Sequence, residues 1–189
     1  NGNFPTDLYM AEGLIDTIGK DYELRVVDPE AVIDAIDETI AVVMLTQVDY
    51  RSGRMHDMQQ ITQKAHQAGA VMLWDLAHSA GAVPLDLQAS NCEFAVGCTY
   101  KYLNGGPGAP AFIYVRPDLM ADVKPALAGW MGHDSPFAFE QHYRPAASIE
   151  RMRVGTPPVL QVSALEAALS VWEGVDMQEL RAASIALSE

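Results

Sequence analysis

Val71-Met72-Leu73-Trp74-Asp75 is the stretch on which the fold turns. Four apolar residues run without polar alternation and stop at a carboxylate. Continuous apolar runs of this kind fit strands covered on both faces, as in parallel sheets. The residues before it, 56–68, are amphipathic at helical spacing. Met58, Ile61 and Ala65 form a stripe, Asp57 can cap the start and Gly69 can end it. The same alternation recurs outward in both directions. Residues 40–45, Phe94–Cys98 and Ala111–Val115 read as further strands, and 24–27 as a short one. Pro5–Ile18 reads as a helix capped by Thr6 or Asp7, with Leu8, Ala11, Leu14, Ile15 and Ile18 on one face. Helical patterns also cover 29–36, 119–124, 159–172 and 177–188. Residues 137–158, rich in Pro, His and Arg, read as an ordered loop region. Strands alternating with helices predict an α/β fold, a mainly parallel sheet with helices on both faces. In such sheets ligands bind at the carboxyl ends of the strands. That rule singles out Thr46, Asp75 to His78, and Thr99 to Lys101.

Composition narrows the function. A formal charge of −13 over 189 residues argues against a nucleic-acid partner, which needs a basic surface, and against docking on an anionic membrane. It leaves room for an anionic cofactor, which backbone N–H groups and a few local donors can hold. No apolar run approaches a membrane span. Cys92 and Cys98 are too few for a disulfide scaffold and match no zinc spacing, so they read as buried thiols in a reducing, cytoplasmic setting. No grouping of histidines and carboxylates has metal-ligand spacing, so no metal is expected.

The chain has four lysines, Lys20, Lys64, Lys101 and Lys124. Three fall in helical or loop stretches that a solvated face explains. Lys101 follows the apolar strand Phe94–Cys98 and precedes Asn104-Gly105-Gly106-Pro107-Gly108. A lysine at the end of a buried strand is partly desolvated, which favours the neutral, nucleophilic amine. Snorkelling to water is the plainer explanation. Asp75 also ends a buried strand, where a carboxylate is costly without a cation or several donors. An N-cap for the following segment would satisfy it. So would the protonated ring nitrogen of pyridoxal 5′-phosphate (PLP), with Lys101 on the aldehyde.

Two segments carry a resemblance. They are Trp74-Asp75-Leu76-Ala77-His78-Ser79-Ala80-Gly81 and Thr99-Tyr100-Lys101-Tyr102-Leu103-Asn104-Gly105-Gly106. With Phe4-Pro5-Thr6-Asp7, Val48-Asp49-Tyr50-Arg51-Ser52-Gly53, Gly129-Trp130-Met131-Gly132-His133 and Gly155-Thr156-Pro157-Pro158, in this order, they resemble the kynureninase family of fold-type I PLP enzymes. The resemblance covers essentially the whole chain. It implies that residues 1–189 are part of the large PLP-binding domain, without the family's N-terminal region and C-terminal small domain.

The roles implied are these. Lys101 binds PLP as a Schiff base and moves protons, and Asp75 pairs with the pyridinium. Phe4 stacks on the ring, with Pro5, Thr6 and Asp7 beside it. Thr46 and His78 lie on the cofactor side, and His78 also lies near the substrate. Tyr100, expected on the opposite face of an extended segment from Lys101, binds the phosphate and transfers a proton. Trp130 and Thr156 reach the phosphate, from the neighbouring subunit of a homodimer. The activity implied is hydrolysis of L-kynurenine or 3-hydroxykynurenine to the corresponding anthranilate and L-alanine. Two other readings stay open: another fold-type I enzyme, such as a cysteine desulfurase or aminotransferase, and a truncated domain without catalysis.

Overall fold

A computed structural model describes residues 2–19 and 21–188. Lys20 lies outside them. Four strands form one sheet in the order β1 (Val42–Thr46), β2 (Val71–Asp75), β3 (Phe94–Cys98), β4 (Ala111–Val115). The first three are parallel and β4 is antiparallel to β3. The connections explain the difference. Helix α3 (Met58–Gln67) lies between β1 and β2, and the short α4 (Leu87–Ser90) between β2 and β3. Residues 99–110 between β3 and β4 contain no helix, so the chain turns back on itself.

Packing follows the pleat. Met72 and Trp74 point to one face and are fully buried with Ile61 and Ala65 of α3. The Trp74 indole N–H donates to the buried Thr62 hydroxyl at 3.1 Å, so the largest core side chain leaves no polar atom unpaired. Asp57 caps α3 as expected, accepting from the Gln60 N–H at 2.9 Å. At the far end of the sheet, Glu93 accepts from the Met72 N–H at 2.9 Å and pairs with His66 and Arg116.

The remaining helices depart from expectation in detail. Helix α1 spans Pro5–Ile18, but neither Thr6 nor Asp7 caps it. Phe4 occupies the cap position and Pro5 the first turn, where its missing N–H costs nothing. Residues 24–27 form no strand, and the Val27 side chain packs on the core. Residues 29–36 resolve into a 3-10 turn, Pro29–Ala31, and the short helix α2 (Val32–Ala35). Residues 119–124 make only the end of a 3-10 turn, Pro117–Leu119, and a hydrogen-bonded turn after it. Helix α5 spans Val159–Leu169 and passes into a 3-10 turn at Ser170–Trp172, and α6 spans Met177–Ala186. Helices α1 and α5 bury no residue, and Leu160 of α5 is 82% exposed. Among the described residues, no helix is long and apolar enough to cross a membrane.

Candidate functional site

Strands β1 and β2 deliver Thr46 and Asp75 to one level at their carboxyl ends, with Val96 in the middle of β3 alongside. Asp75 is 6% exposed, and its Oδ1 accepts from the Ala77 N–H at 2.8 Å. That bond makes a tight turn rather than a helix cap, and it starts the loop that carries His78. After β3 the chain bends at Thr99–Leu103, with the Asn104 N–H on the Lys101 carbonyl at 3.0 Å and the Gly105 N–H on the Thr99 carbonyl at 2.9 Å. The two loops touch at Gly81. Its φ of +83° is open to glycine alone at low cost, and a Cβ there would lie 2.6 Å from the Tyr102 carbonyl oxygen. Only a glycine lets the loop after β2 come this near the lysine turn.

That approach brings Lys101 Nζ within 2.7 Å of His78 Nε2. Against a lysine ammonium, which donates and cannot accept, Nε2 is the acceptor of a neutral ring whose proton sits on Nδ1. Burial, and then the Lys101 charge, hold the imidazole below its ordinary pKa, which agrees with the neutral form. Nδ1 is buried without a hydrogen-bond partner among the described residues. A buried donor left unmade is costly, and such orphans concentrate where a ligand completes them.

A second carboxylate lies close by. Burial, followed by the charge of Asp75, raises the Asp7 carboxyl above its ordinary value, while a hydrogen bond from Asn3 and the Lys101 charge pull the other way. Asp7 therefore feels both Asp75 and Lys101, as does His78. Aromatic rings complete the wall. Phe4 meets Tyr50 edge-on at 5.3 Å between centroids, and Tyr50 stacks on His78 at 5.9 Å.

The fold thus gathers Phe4, Asp7, Thr46, Asp75, His78 and Lys101 from four separate stretches, with Pro5 and Thr6 in the first turn beside Phe4. Tyr100 departs from its expected orientation. The segment is a bend, not extended, and Lys101 Nζ lies 5.4 Å from the Tyr100 ring centroid, so the two side chains share a side. Trp130 and Thr156 belong to a different substructure. Segment 129–133 packs so closely on 151–154 that a Cβ at Gly129 would overlap the Val154 carbonyl. Trp130 meets Phe137 and Phe139 there. Among the described residues, no hydrogen bond, ion pair or ring contact joins Trp130 or Thr156 to Asp75, His78 or Lys101. No group of three or more His, Cys, Asp or Glu among the described residues could hold a metal ion. Sequence reasoning gave no role to Asn3 or Tyr50, because their contacts cross the fold and leave no local pattern.

Known proteins carry related chains. The kynureninase of Pseudomonas fluorescens is 52% identical over 188 residues, 99% of this chain and 45% of that protein. The chain thus spans about half the length of the curated relatives it matches. Among solved structures, the cysteine desulfurase CsdA of Escherichia coli superposes with a TM-score of 0.64 at 25% identity, over 79% of this chain and 37% of that one. A C-DES variant with glycine covalently linked to its PLP cofactor superposes with a TM-score of 0.75 at 17% identity, over 95% of this chain and 49% of that one. The latter likeness shows the fold alone. The aminotransferase class-V model matches residues 14–189, and the chain belongs to that family.

Proposed function

We propose that the chain is the lysine-bearing part of a PLP-dependent kynureninase, which hydrolyses L-kynurenine or its 3-hydroxy form to the corresponding anthranilate and L-alanine. The observation that carries this reading is the 52% identity to a kynureninase along 99% of the chain. The site fits the cofactor. One lysine, one buried carboxylate and a neutral histidine with an orphaned Nδ1 stand at adjacent strand ends. Bound there, PLP supplies an electron sink for charge developing at the substrate Cα.

This chain's residues then have distinct tasks. Lys101 Nζ holds the cofactor aldehyde and afterwards carries the Cα proton. Asp75 keeps a proton on the ring nitrogen by pairing with its charge. His78 stays neutral, so it accepts at Nε2 without adding positive charge beside the lysine. Tyr100 Oη donates a proton near the phosphate. Phe4, Pro5, Thr6, Asp7 and Thr46 line the cofactor side. Water adds across the Cβ–Cγ bond, its hydroxyl going to the carbonyl carbon and its proton to the alanine fragment.

Helix α5 is largely apolar, with its few polar residues, Gln161, Ser163 and Glu166, gathered on no one face, yet it is exposed, and Phe137 and Phe139 are exposed beside Trp130. Such faces need a partner surface. They support a homodimer in which Trp130 and Thr156 serve the partner's phosphate, in keeping with their separation from Lys101 here. The desulfurase reading needs a mobile, reactive thiol. Cys92 is fully buried with its thiol pushed up, first by burial, and Cys98 Sγ rests on the Ala77 carbonyl at 3.6 Å.

The test is product analysis with the full-length protein and PLP. Equal release of anthranilate and alanine from kynurenine, abolished by Lys101→Ala, supports the reading. Sulfide release from cysteine with no cleavage of kynurenine contradicts it.

A further inference from the structure

Asn3 is nearly buried, at 9% exposure, and both ends of its side-chain amide are used. Oδ1 accepts from the Thr46 N–H at 3.1 Å, and Nδ2 donates to Asp7 Oδ2 at 3.1 Å. The first bond follows from the sheet. The Gln47 N–H donates across to the Asp75 carbonyl at 3.0 Å, so the N–H of Thr46, one residue earlier, points the other way, off the β2 side of β1. Asn3 supplies the acceptor that a neighbouring strand would have given. A side-chain amide has the same donor and acceptor groups as a peptide, so its other end is left to donate. That donor meets Asp7, in the first turn of α1.

We propose that Asn3 is a positioning residue for the lysine site. It fastens the first turn of α1 to the end of β1 and aims the Asp7 carboxylate toward Asp75 and Lys101. This rests on the reading of Lys101 and Asp75 as the cofactor pair. Geometry favours a site role over mere anchoring. Anchoring needs only the Thr46 bond, whereas the Nδ2 arm acts on a carboxylate whose surroundings hold Asp75 on β2 and Lys101 after β3. A hydrogen bond to the ionised form opposes the burial and like charge that favour its protonation.

The experiment is a double-mutant cycle on PLP affinity in the full-length protein, with Asn3→Ala, Asp7→Asn and the pair, and with thermal midpoints recorded alongside. Asn3→Ala is expected to weaken PLP binding roughly tenfold, the scale of a lost hydrogen bond to a charged group. That loss should largely vanish in the Asp7→Asn background. Asn3→Asp keeps the Oδ1 acceptor for Thr46 and replaces the donor with a carboxylate oxygen facing Asp7, a repulsion that Asp7→Asn relieves, so this pair carries the test if Asn3→Ala does not fold. It too should bind PLP more weakly, with a lowered thermal midpoint, and both losses should largely vanish in the Asp7→Asn background. Unchanged affinity in Asn3→Asp, or equal losses in both Asp7 backgrounds, overturns the positioning role while leaving the cofactor reading intact. A wild-type protein that holds no PLP overturns the cofactor reading, and this proposal with it.

Discussion

Lys101 Nζ and His78 Nε2 are 2.7 Å apart, joining the turn after β3 to the loop after β2. The bond has a sign. With the lysine as a donor-only ammonium, the histidine accepts and its ring is neutral.

A pH dependence follows. Burial, then the Lys101 charge, lower the His78 pKa in the folded chain, and burial leads the same shift at His56. Unfolded, each imidazole takes a proton near pH 6.5, whereas folded it does so only at lower pH. The unfolded chain therefore binds more protons in that window, and stability falls as pH drops below about 6.5 through the folded values. Above that window it is fully present. Thermal midpoints from pH 7.5 to 5 should decline less steeply for His78→Gln than for wild type. Identical slopes would show that His78 is not held neutral by its surroundings.

The close approach at Gly81 is equally open to test. Gly81→Ala meets a left-handed backbone and a carbonyl 2.6 Å from the new Cβ. Strain of this kind costs about 1–3 kcal/mol. Relief requires the Tyr102 segment to move, which carries Lys101 off His78. Denaturant unfolding should report the loss of stability, and PLP affinity should fall with it. A variant as stable as wild type, with unaltered PLP affinity, would mean the loops are not held against each other here.

In the core, Thr62→Val keeps the shape but removes the acceptor of the Trp74 indole N–H. A buried donor left unsatisfied costs about 1–3 kcal/mol. Urea unfolding of the variant should show that loss with an unchanged m-value, and a difference near zero would contradict the pairing.

Much of the scaffold was legible in the sequence. The ends of β3 and β4 and the bounds of α1 coincide with the apolar and amphipathic patterns, and Asp57 caps α3 as its position suggested. These features are local, so periodicity and capping chemistry suffice to find them. The direction of β4 was not legible, because apolar runs look alike in parallel and antiparallel strands. Only the helix-free connection 99–110 decides it. Residues 24–27 misled for a related reason, since β-branched content signals burial of side chains, not pairing of backbone. At the site, Asp75 and Lys101 stood out because each ends an apolar strand. The Tyr100 orientation was misjudged by extending the strand geometry into a bend. Asn3 and Tyr50 were invisible because their contacts join Asn3 to Thr46 and Tyr50 to His78 across the fold.

The most direct test of the central claim is covalent. Full-length protein incubated with PLP, reduced with borohydride and digested should yield a pyridoxyl group on the peptide bearing Lys101, and none after Lys101→Ala. Stoichiometric label on Lys64 or Lys124, or no stable label anywhere, would contradict the account.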